Sequence, residues 1–146
     1  MRSATADDVA FLADVALEAS RDQGLPPDGF DEEAWREGFE AWTRDQVDGQ
    51  VEHSTTYVVE VDGERVGRLR VVRPPDEVEL AGLQLRPAYQ SRGIGAAIIE
   101  QLSGEAAGRP FRLTVERTNV RARALYERLG FVEVGGDDAE ALMEQG

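Results

Sequence analysis

Residues 88–102 read AYQSRGIGAAIIEQL, with two glycines and an arginine placed just before an apolar run of helical spacing. The first N–H groups of a helix have no partner within the helix, and they carry the positive end of its dipole. A phosphate or pyrophosphate satisfies these groups, and Gly93 and Gly95 lack the Cβ atoms that would block its approach. The stretch therefore predicts an anion site at the start of a helix.

Two common nucleotide-binding motifs do not fit this glycine pattern. A P-loop requires a lysine, and all 16 basic residues of this chain are arginines. A dinucleotide fingerprint requires a third glycine where this chain has Ile98. The glycines alone therefore do not identify the anion.

Length and composition limit the class of protein. With 146 residues, 41% of them hydrophobic, the chain is expected to form a single domain over residues 1–146. The absence of cysteine excludes disulfides, thiolate metal sites and a cysteine nucleophile, and the lone His53 argues against a metal site. No apolar run is long enough to span a membrane, and residues 1–10 lack a secretory signal, so we expect a cytoplasmic protein without membrane contact.

Charge is distributed unevenly along the chain. The net charge of −13 argues against nucleic acid as a partner. Residues 1–50 hold 13 acidic and 4 basic residues, whereas residues 84–128 hold 8 Arg and 4 Glu. The basic segment contains the glycine stretch and favours an anionic ligand, although chance clustering on a solvated face explains it equally well.

Hydrophobic periodicity predicts alternating helices and strands. A DGE turn at 62–64 indicates a hairpin, and the strand–helix–strand units that follow suit parallel pairing. Residues 22–30 interrupt the first two helices, and residues 139–145 read as a last strand or a frayed helix. The predicted helices are 6–21, 31–47, 95–106 and 119–130, and the predicted strands are 55–61, 65–73, 78–85, 111–116 and 131–134.

The second predicted helix has an aromatic face formed by Trp35, Phe39 and Trp42. At i, i+4 and i+7 such residues share one side of a helix, and we expect the two tryptophans to belong to the core. A cation–π role for one of them is the alternative.

Two longer stretches resemble the GCN5-related N-acetyltransferase (GNAT) family. Residues 83–99 contain its loop Q/R-x-x-G-x-G/A, and residues 113–134 contain N-x-x-A-x-x-x-Y followed by a G-F pair. The resemblance covers nearly the whole chain. It implies an α/β (α+β) fold with a mixed, mostly antiparallel central sheet of six or seven strands and about four flanking helices.

The resemblance also implies a cofactor, acetyl-CoA, and residues that hold it. The loop would bind the pyrophosphate, and the backbone of Leu83 and Leu85 would pair with the pantetheine arm. Asn119 would bond near the pantetheine, and as a good N-cap residue it can also begin a helix. The loop residues are Gln90, Arg92, Gly93, Ile94, Gly95 and Ala96.

Catalytic roles follow from the same resemblance. Tyr126 would protonate the departing thiolate, unless it is an amphipathic core tyrosine. Glu79 would accept the proton of the amine, with Glu77 as the second candidate and water as the alternative base. For Arg121 and Arg123 we favour a solvated helix face, with Glu127 as the partner of Arg123, over contact with the adenosine phosphate.

The function implied is transfer of acetyl from acetyl-CoA directly to a primary amine, by an acyl-CoA-dependent N-acyltransferase. The acidic residues 1–50 would attract a cationic acceptor, although ordinary surface acidity explains them as well. A non-catalytic acyl-CoA-binding or sensing module is the main alternative, and a scaffold that binds no cofactor is a third. Members of the family are often homodimers, but no interface can be read from this sequence.

Overall fold

The computed structural model describes residues 1–22 and 30–145. The predicted break at 22–30 therefore lies almost wholly outside the described residues. Short 3₁₀ turns at Ala6–Asp8 and Pro87–Tyr89 accompany the main elements. In chain order these are β1 (Arg2–Ser3), α1 (Val9–Asp22), α2 (Glu32–Val47), β2 (Ser54–Val61), β3 (Glu64–Val72), β4 (Val78–Leu85), α3 (Ile94–Ala106), β5 (Phe111–Glu116), α4 (Val120–Arg128), β6 (Phe131–Gly136) and β7 (Glu140–Gln145).

The strands of the described residues form one mostly antiparallel sheet in the order β1-β2-β3-β4-β5-β7-β6. This confirms the predicted fold class. Within residues 1–22 and 30–145, β4 and β5 form a parallel pair over Val78–Leu80 and 111–113. The chain falls into two compact units, unit 1 (Met1–Arg70 and Gly82–Gln90) and unit 2 (Val71–Ala81 and Ser91–Gly146). Both β3 and β4 contribute residues to each unit, and the single domain over 1–146 stays a prediction.

Unit 1 is built around α1. Its apolar stripe buries Leu12 and Val15 against Val58 of β2. Asp8 precedes the helix and is 2% exposed, and its carboxylate accepts hydrogen bonds from Arg2, Arg65 and the backbone N–H of Thr5. These donors hold the pKa of Asp8 well below its usual range.

The predicted hairpin joins β2 to β3 through Asp62 and Gly63. Both residues have positive φ, 52° and 82°, as a two-residue turn of type I′ requires. A local dipeptide signal therefore placed this turn correctly.

The aromatic face of α2 is only partly buried, with Phe39 packed against the core of unit 1. The rings of Trp35 and Phe39 stack at 5.0 Å, but Trp42 is 39% exposed and Trp35 only half-buried. The buried residues of this helix are polar, Thr43 and Gln46. The core assignment was wrong for Trp42 because α2 turns this polar side inward, where Gln46 accepts a hydrogen bond from Ser54 of β2 at 2.6 Å.

Unit 2 packs α3 and the strands β5, β6 and β7 around aromatic side chains. Phe111 of β5 and Phe131 of β6 meet edge to face, with ring centroids 5.3 Å apart. Alternate residues of β5 are buried, and α3 contributes four apolar residues to the same core, Ile98, Ile99, Leu102 and Ala106.

The ambiguous segment 139–145 forms a strand, β7. Ala141 and Met143 are buried at a spacing of two, which is a strand period. β7 pairs antiparallel with both β5 and β6 and lies between them. The expectation of parallel pairing therefore holds for β4 and β5, which α3 connects, but not for β5 and β6, which α4 connects.

Candidate functional site

The glycine loop of unit 2 leads into α3 through an unusual backbone. Gly93 is the N-cap residue, with φ 80° and ψ 4°, the left-handed conformation that residues with a Cβ avoid. Ser91 also has positive φ, 60°. A Cβ on Gly93 would have no atom within 4 Å, so the space beside this residue is open. Gly93 is thus required by its conformation, and α3 begins at Ile94, one residue before the predicted start.

The start of α3 has no cap of its own. Its first hydrogen bond runs from the N–H of Ala97 to the carbonyl of Gly93, at 3.0 Å. Within the described ranges no acceptor is recorded for the N–H groups of the four residues before Ala97, and the first turn has no acidic residue. These four donors, on residues 93–96, keep the positive end of the helix dipole available to an external anion.

An arginine of α4 adds positive charge beside this loop. The guanidinium of Arg121 donates a hydrogen bond to the hydroxyl of Ser91. Arg123 contacts Glu133 of β6 at 4.0 Å, which replaces the Glu127 partner expected from helical spacing. Arg121 is exposed, as expected for a solvated helix face, and its contact with Ser91 places its charge beside the loop.

Asn119 begins α4 as predicted. Its Oδ1 accepts a hydrogen bond from the backbone N–H of Ala122 at 3.2 Å, which satisfies one donor of the first turn. This contact uses only the carbonyl side of the amide. The Nδ2 group is free of partners among the described residues, so a ligand contact is compatible with the cap.

Tyr126 lies two turns further along α4. Its ring contacts Phe131, with centroids 5.9 Å apart, and burial raises the pKa of its phenol above the ordinary value. Within the part of the chain that the structure describes, the hydroxyl makes no hydrogen bond. Tyr126 is therefore a protonated phenol at neutral pH whose polar end is not used in folding.

The two candidate bases differ in their surroundings. Glu77 contacts Arg112 at 3.3 Å, and Arg112 also lies 3.8 Å from Glu144. Glu79 is half-buried on β4, and no described cation forms an ion pair with it. Glu77 is thus held in an ion pair and Glu79 is not, and the choice of Glu79 as the base stays a prediction.

The remaining predicted residues belong to unit 1. The N–H of Arg86 donates to the carbonyl of Val66 on β3 at 2.8 Å. Since successive residues of a strand point their backbone groups to opposite sides, Leu85 and Leu83 direct theirs away from β3. The amide Nε2 of Gln90 donates to the carbonyl of Leu85 at 3.1 Å. Gln90 is thus held at the end of β4 within unit 1.

Other features of the described residues do not add to this site. A groove of about 510 Å³ in unit 1 contains none of the predicted residues; it is lined by Asp7, Ala10, Phe11, Asp14, Glu64, Arg65 and Arg86. The described chain shows no cluster of three or more His, Asp or Glu side chains suited to a metal. Nor does a described helix have the length and apolar character needed to cross a membrane.

Two bacterial acetyltransferases are similar in sequence to part of this chain. N-alpha-acetyltransferase RimI of Mycobacterium tuberculosis (strain ATCC 25618 / H37Rv) is 41% identical over 71 residues, which cover 49% of this chain and 42% of the relative. The [Ribosomal protein bS18]-alanine N-acetyltransferase of Escherichia coli (strain K12) is 41% identical over 61 residues, 40% of this chain and 41% of the relative. The chain thus spans less than half the length of these relatives.

A solved structure supports the fold across the whole chain. The PaiA N-acetyltransferase of Thermoplasma acidophilum in complex with coenzyme A superposes with a TM-score of 0.83, at 22% identity, over 99% of this chain and 96% of that protein. At this identity the likeness shows the fold alone. The model of the Acetyltransferase (GNAT) family matches residues 13–131, which is most of the sequence. On that match, and with the loop and sheet described above, the chain belongs to the GNAT family of acetyltransferases.

Proposed function

We propose that this protein is an N-acetyltransferase that transfers the acetyl group of acetyl-CoA directly to a primary amine. The observation that carries the proposal is the uncapped start of α3, where four N–H groups have no acceptor among the described residues and a Cβ on the left-handed Gly93 would have no atom within 4 Å. The coenzyme A named for the Thermoplasma acidophilum neighbour supports this cofactor. The names of the two bacterial relatives support an amine acceptor.

The residues at this start fit a pyrophosphate. The N–H groups of Gly93, Ile94, Gly95 and Ala96 would bind its oxygens, with Arg92 and Arg121 supplying positive charge. Leu83 and Leu85 would pair with the pantetheine arm through backbone groups that point away from β3. Gln90 positions the carbonyl of Leu85, and the Nδ2 of Asn119 is available to the same ligand. The cofactor supplies the acetyl group as a reactive thioester.

Tyr126 acts as the general acid in this proposal. The thiolate that leaves in acyl transfer needs a proton, and a phenol of raised pKa holds one throughout the neutral range. Because its hydroxyl has no partner among the described residues, Tyr126 can donate without breaking a contact of the fold.

Glu79 acts as the base. An alkylammonium has a pKa of about 10 and arrives protonated, so a carboxylate must accept its proton directly or through water. Glu79 accepts one proton from the ammonium, and the neutral amine then forms a bond to the acetyl carbon while the bond from that carbon to sulfur breaks. Tyr126 gives its proton to the leaving thiolate, and the second proton lost by the nitrogen restores the phenol. Glu79 returns its proton to water. Because the sequence has no cysteine, transfer does not use a cysteine-linked acetyl-enzyme.

The test is release of free thiol from acetyl-CoA with a pool of primary amines. We expect amine-dependent release by the wild type and a decrease of roughly 100-fold in Tyr126→Phe, as loss of a general acid predicts. The matched control is Tyr57→Phe on β2, which removes the same oxygen and should keep the wild-type rate. The rate with wild type should show no loss on the alkaline side below about pH 10, because the raised pKa keeps Tyr126 protonated.

Two results would contradict the proposal. If the protein did not bind acetyl-CoA at near-millimolar concentration, acetyl-CoA would not be its substrate, and the proposed reaction would be wrong. Tight binding without release for any amine would favour the sensing module instead. A wild-type rate in Tyr126→Phe would leave the acetyltransferase in place but remove the role of Tyr126.

A further inference from the structure

A buried arginine of unit 1 has no acidic partner. Arg68 lies on β3 and is only 5% exposed. Within residues 1–22 and 30–145 its single hydrogen bond runs from Nη1 to the Oε1 of Gln84, at 2.9 Å. Burial, followed by the charge of Arg70, lowers its pKa to about 10, so the side chain is still cationic at neutral pH. A buried charge without a counter-ion costs free energy unless something else compensates it.

Four other arginines of unit 1 have carboxylate partners. Arg2 and Arg65 contact Asp8, at 2.8 and 3.3 Å. Arg36 pairs with Asp14, and Arg86 lies 3.4 Å from Glu18. The chain has 29 acidic residues against 16 basic ones, so carboxylates are plentiful. That none of the described ones reaches Arg68 argues that its counter-ion is supplied by a ligand.

The unused side of Arg68 has the shape of a carboxylate site. A guanidinium is planar, and its Nε and Nη2 groups lie on one edge as a fork that matches the two oxygens of a carboxylate. Nη1 is occupied by Gln84, whereas Nε is buried without a hydrogen-bond partner. Among the described residues Nη2 has no acceptor either. The edge of Arg68 without an acceptor is therefore the one whose geometry matches a carboxylate bound in two places.

The neighbours of Arg68 hold the guanidinium in position. Its Cζ lies 5.3 Å from the ring centroid of Phe39 and 5.5 Å from that of Trp42. These rings stabilise the cation without neutralising it. A Cβ on Gly82 would lie 2.8 Å from Nη1, so a glycine at this position makes room for the side chain. Trp42 is exposed enough to contact an incoming ligand.

We propose that Arg68, the amide of Gln84 and the ring of Trp42 form a subsite for a carboxylate, and that the acceptor amine carries such a group. The proposal rests on the acetyltransferase function for the identity of the ligand as acceptor. It names the chemical class, a primary amine with a carboxylate and an apolar portion that packs on Trp42. Gln84, whose Oε1 accepts from Nη1, offers its Nε2 as a further donor on the Nη1 side of the guanidinium.

Stability of the ligand-free protein gives the first test. If Arg68 is kept for binding, Arg68→Met removes a buried unpaired charge and should raise Tm, by about 4 °C or more. The matched variant Arg65→Met removes an arginine that contacts Asp8 and should lower Tm. A decrease in Tm for Arg68→Met as large as that for Arg65→Met would show that Arg68 stabilises the fold, and it would overturn the proposal.

Binding without acetyl-CoA gives the second test. The probes are 3-phenylpropionate and 3-phenylpropanamide, which have the same shape and differ in charge. The two tryptophans of the chain, Trp35 and Trp42, both lie on α2 and report binding by fluorescence. We expect the carboxylate to bind wild type about 10- to 100-fold more tightly than the amide, as for hydrogen bonds to charged groups.

Matched glutamine variants assign this preference to one arginine. Arg68→Gln should bind the two probes equally, whereas Arg44→Gln, which alters an exposed arginine of α2, should keep the preference. Equal binding of both probes by wild type, or an unchanged preference in Arg68→Gln, would contradict the subsite.

Acetyl transfer separates this proposal from the function on which it rests. For the best acceptor in the thiol-release assay, converting its carboxylate to an amide should lower kcat/KM about 10- to 100-fold in wild type but little in Arg68→Gln. A best acceptor without a carboxylate would overturn the subsite and leave the acetyltransferase standing. Selective binding of the carboxylate probe without transfer to any amine would support the subsite and contradict the proposed function.

Discussion

The first N–H groups of a helix need acceptors from outside the helix, and the starts of α2 and α3 differ in whether the protein supplies one. At α2 the carboxylate of Asp31 accepts a hydrogen bond from the N–H of Ala34 at 3.0 Å, and Glu32 and Glu33 follow in the first turn. At α3 the N-cap is Gly93, which has no side chain to donate or accept, and the first turn carries no acidic residue. The chain compensates one helix dipole internally and leaves the other open.

This difference supports the proposal that the start of α3, and not that of α2, binds a ligand. A protein with 29 acidic residues can easily place one at a helix start, and it does so at α2. At α3 it places a left-handed glycine instead, which lowers the stability of the helix start but leaves its donors accessible. The start of α4 lies between these two cases. Asn119 caps it with a neutral oxygen, and its Nδ2 group has no partner among the described residues.

The largest effect is expected when α3 is given a carboxylate of its own. Gly93→Asp places a negative charge among the donors that the pyrophosphate would use, and it should weaken coenzyme A binding by on the order of 100-fold. Asparagine has the same shape without the charge and also tolerates positive φ, so Gly93→Asn is the matched control. Calorimetric titration with coenzyme A measures both variants.

The control decides how this result is read. A loss in Gly93→Asn as large as in Gly93→Asp would assign the effect to backbone strain. Full affinity in Gly93→Asp would show that this helix start does not bind the phosphates, and the comparison between α2 and α3 would lose its functional meaning.

Much of the fold was predictable because its signals are local. The bounds of β4 and β5 agree with the predicted strands, and the Asp62-Gly63 turn follows from two adjacent residues. The segment 139–145 was ambiguous because seven residues do not distinguish a strand from a helix, and pairing with β5 and β6 decides it. Trp42 was assigned to the core because periodicity identifies a face but not what covers it.

The candidate site also has parts that local sequence predicts and parts that depend on distant contacts. The helix start at Gly93 and the cap at Asn119 were readable from adjacent residues. The difference between Glu77 and Glu79 depends on Arg112, which lies on another strand. Arg68 was not identified at all, because its burial depends on rings of α2 that lie about 30 residues earlier in the chain. Contacts at long sequence separation leave no periodic signal.

A smaller effect is expected from the arginine beside the open helix start. Arg121→Gln removes the cation that contacts Ser91, and it should weaken coenzyme A binding about 3- to 10-fold, as expected for one exposed charge. The loss should shrink as salt is added, because salt screens exposed charges. Arg123→Gln is the control, since Arg123 contacts Glu133 instead. Equal losses of coenzyme A affinity in both variants would show that Arg121 contributes only positive charge and makes no specific contact with the ligand.

The smallest effect is expected at the helix that caps itself. Asp31→Ala leaves the first turn of α2 without its acceptor and should lower the free energy of unfolding by about 1 kcal/mol, as for other N-caps. Asp31→Asn keeps an oxygen at this place and should recover most of that loss in chemical denaturation. Neither variant should change coenzyme A affinity, because the dipole of α2 is compensated within the protein and is not offered to a ligand. A loss of coenzyme A affinity in Asp31→Ala as large as that expected for Gly93→Asp would contradict this comparison. Both helix starts would then contribute to ligand binding. The presence of a cap would not distinguish a structural helix start from a functional one.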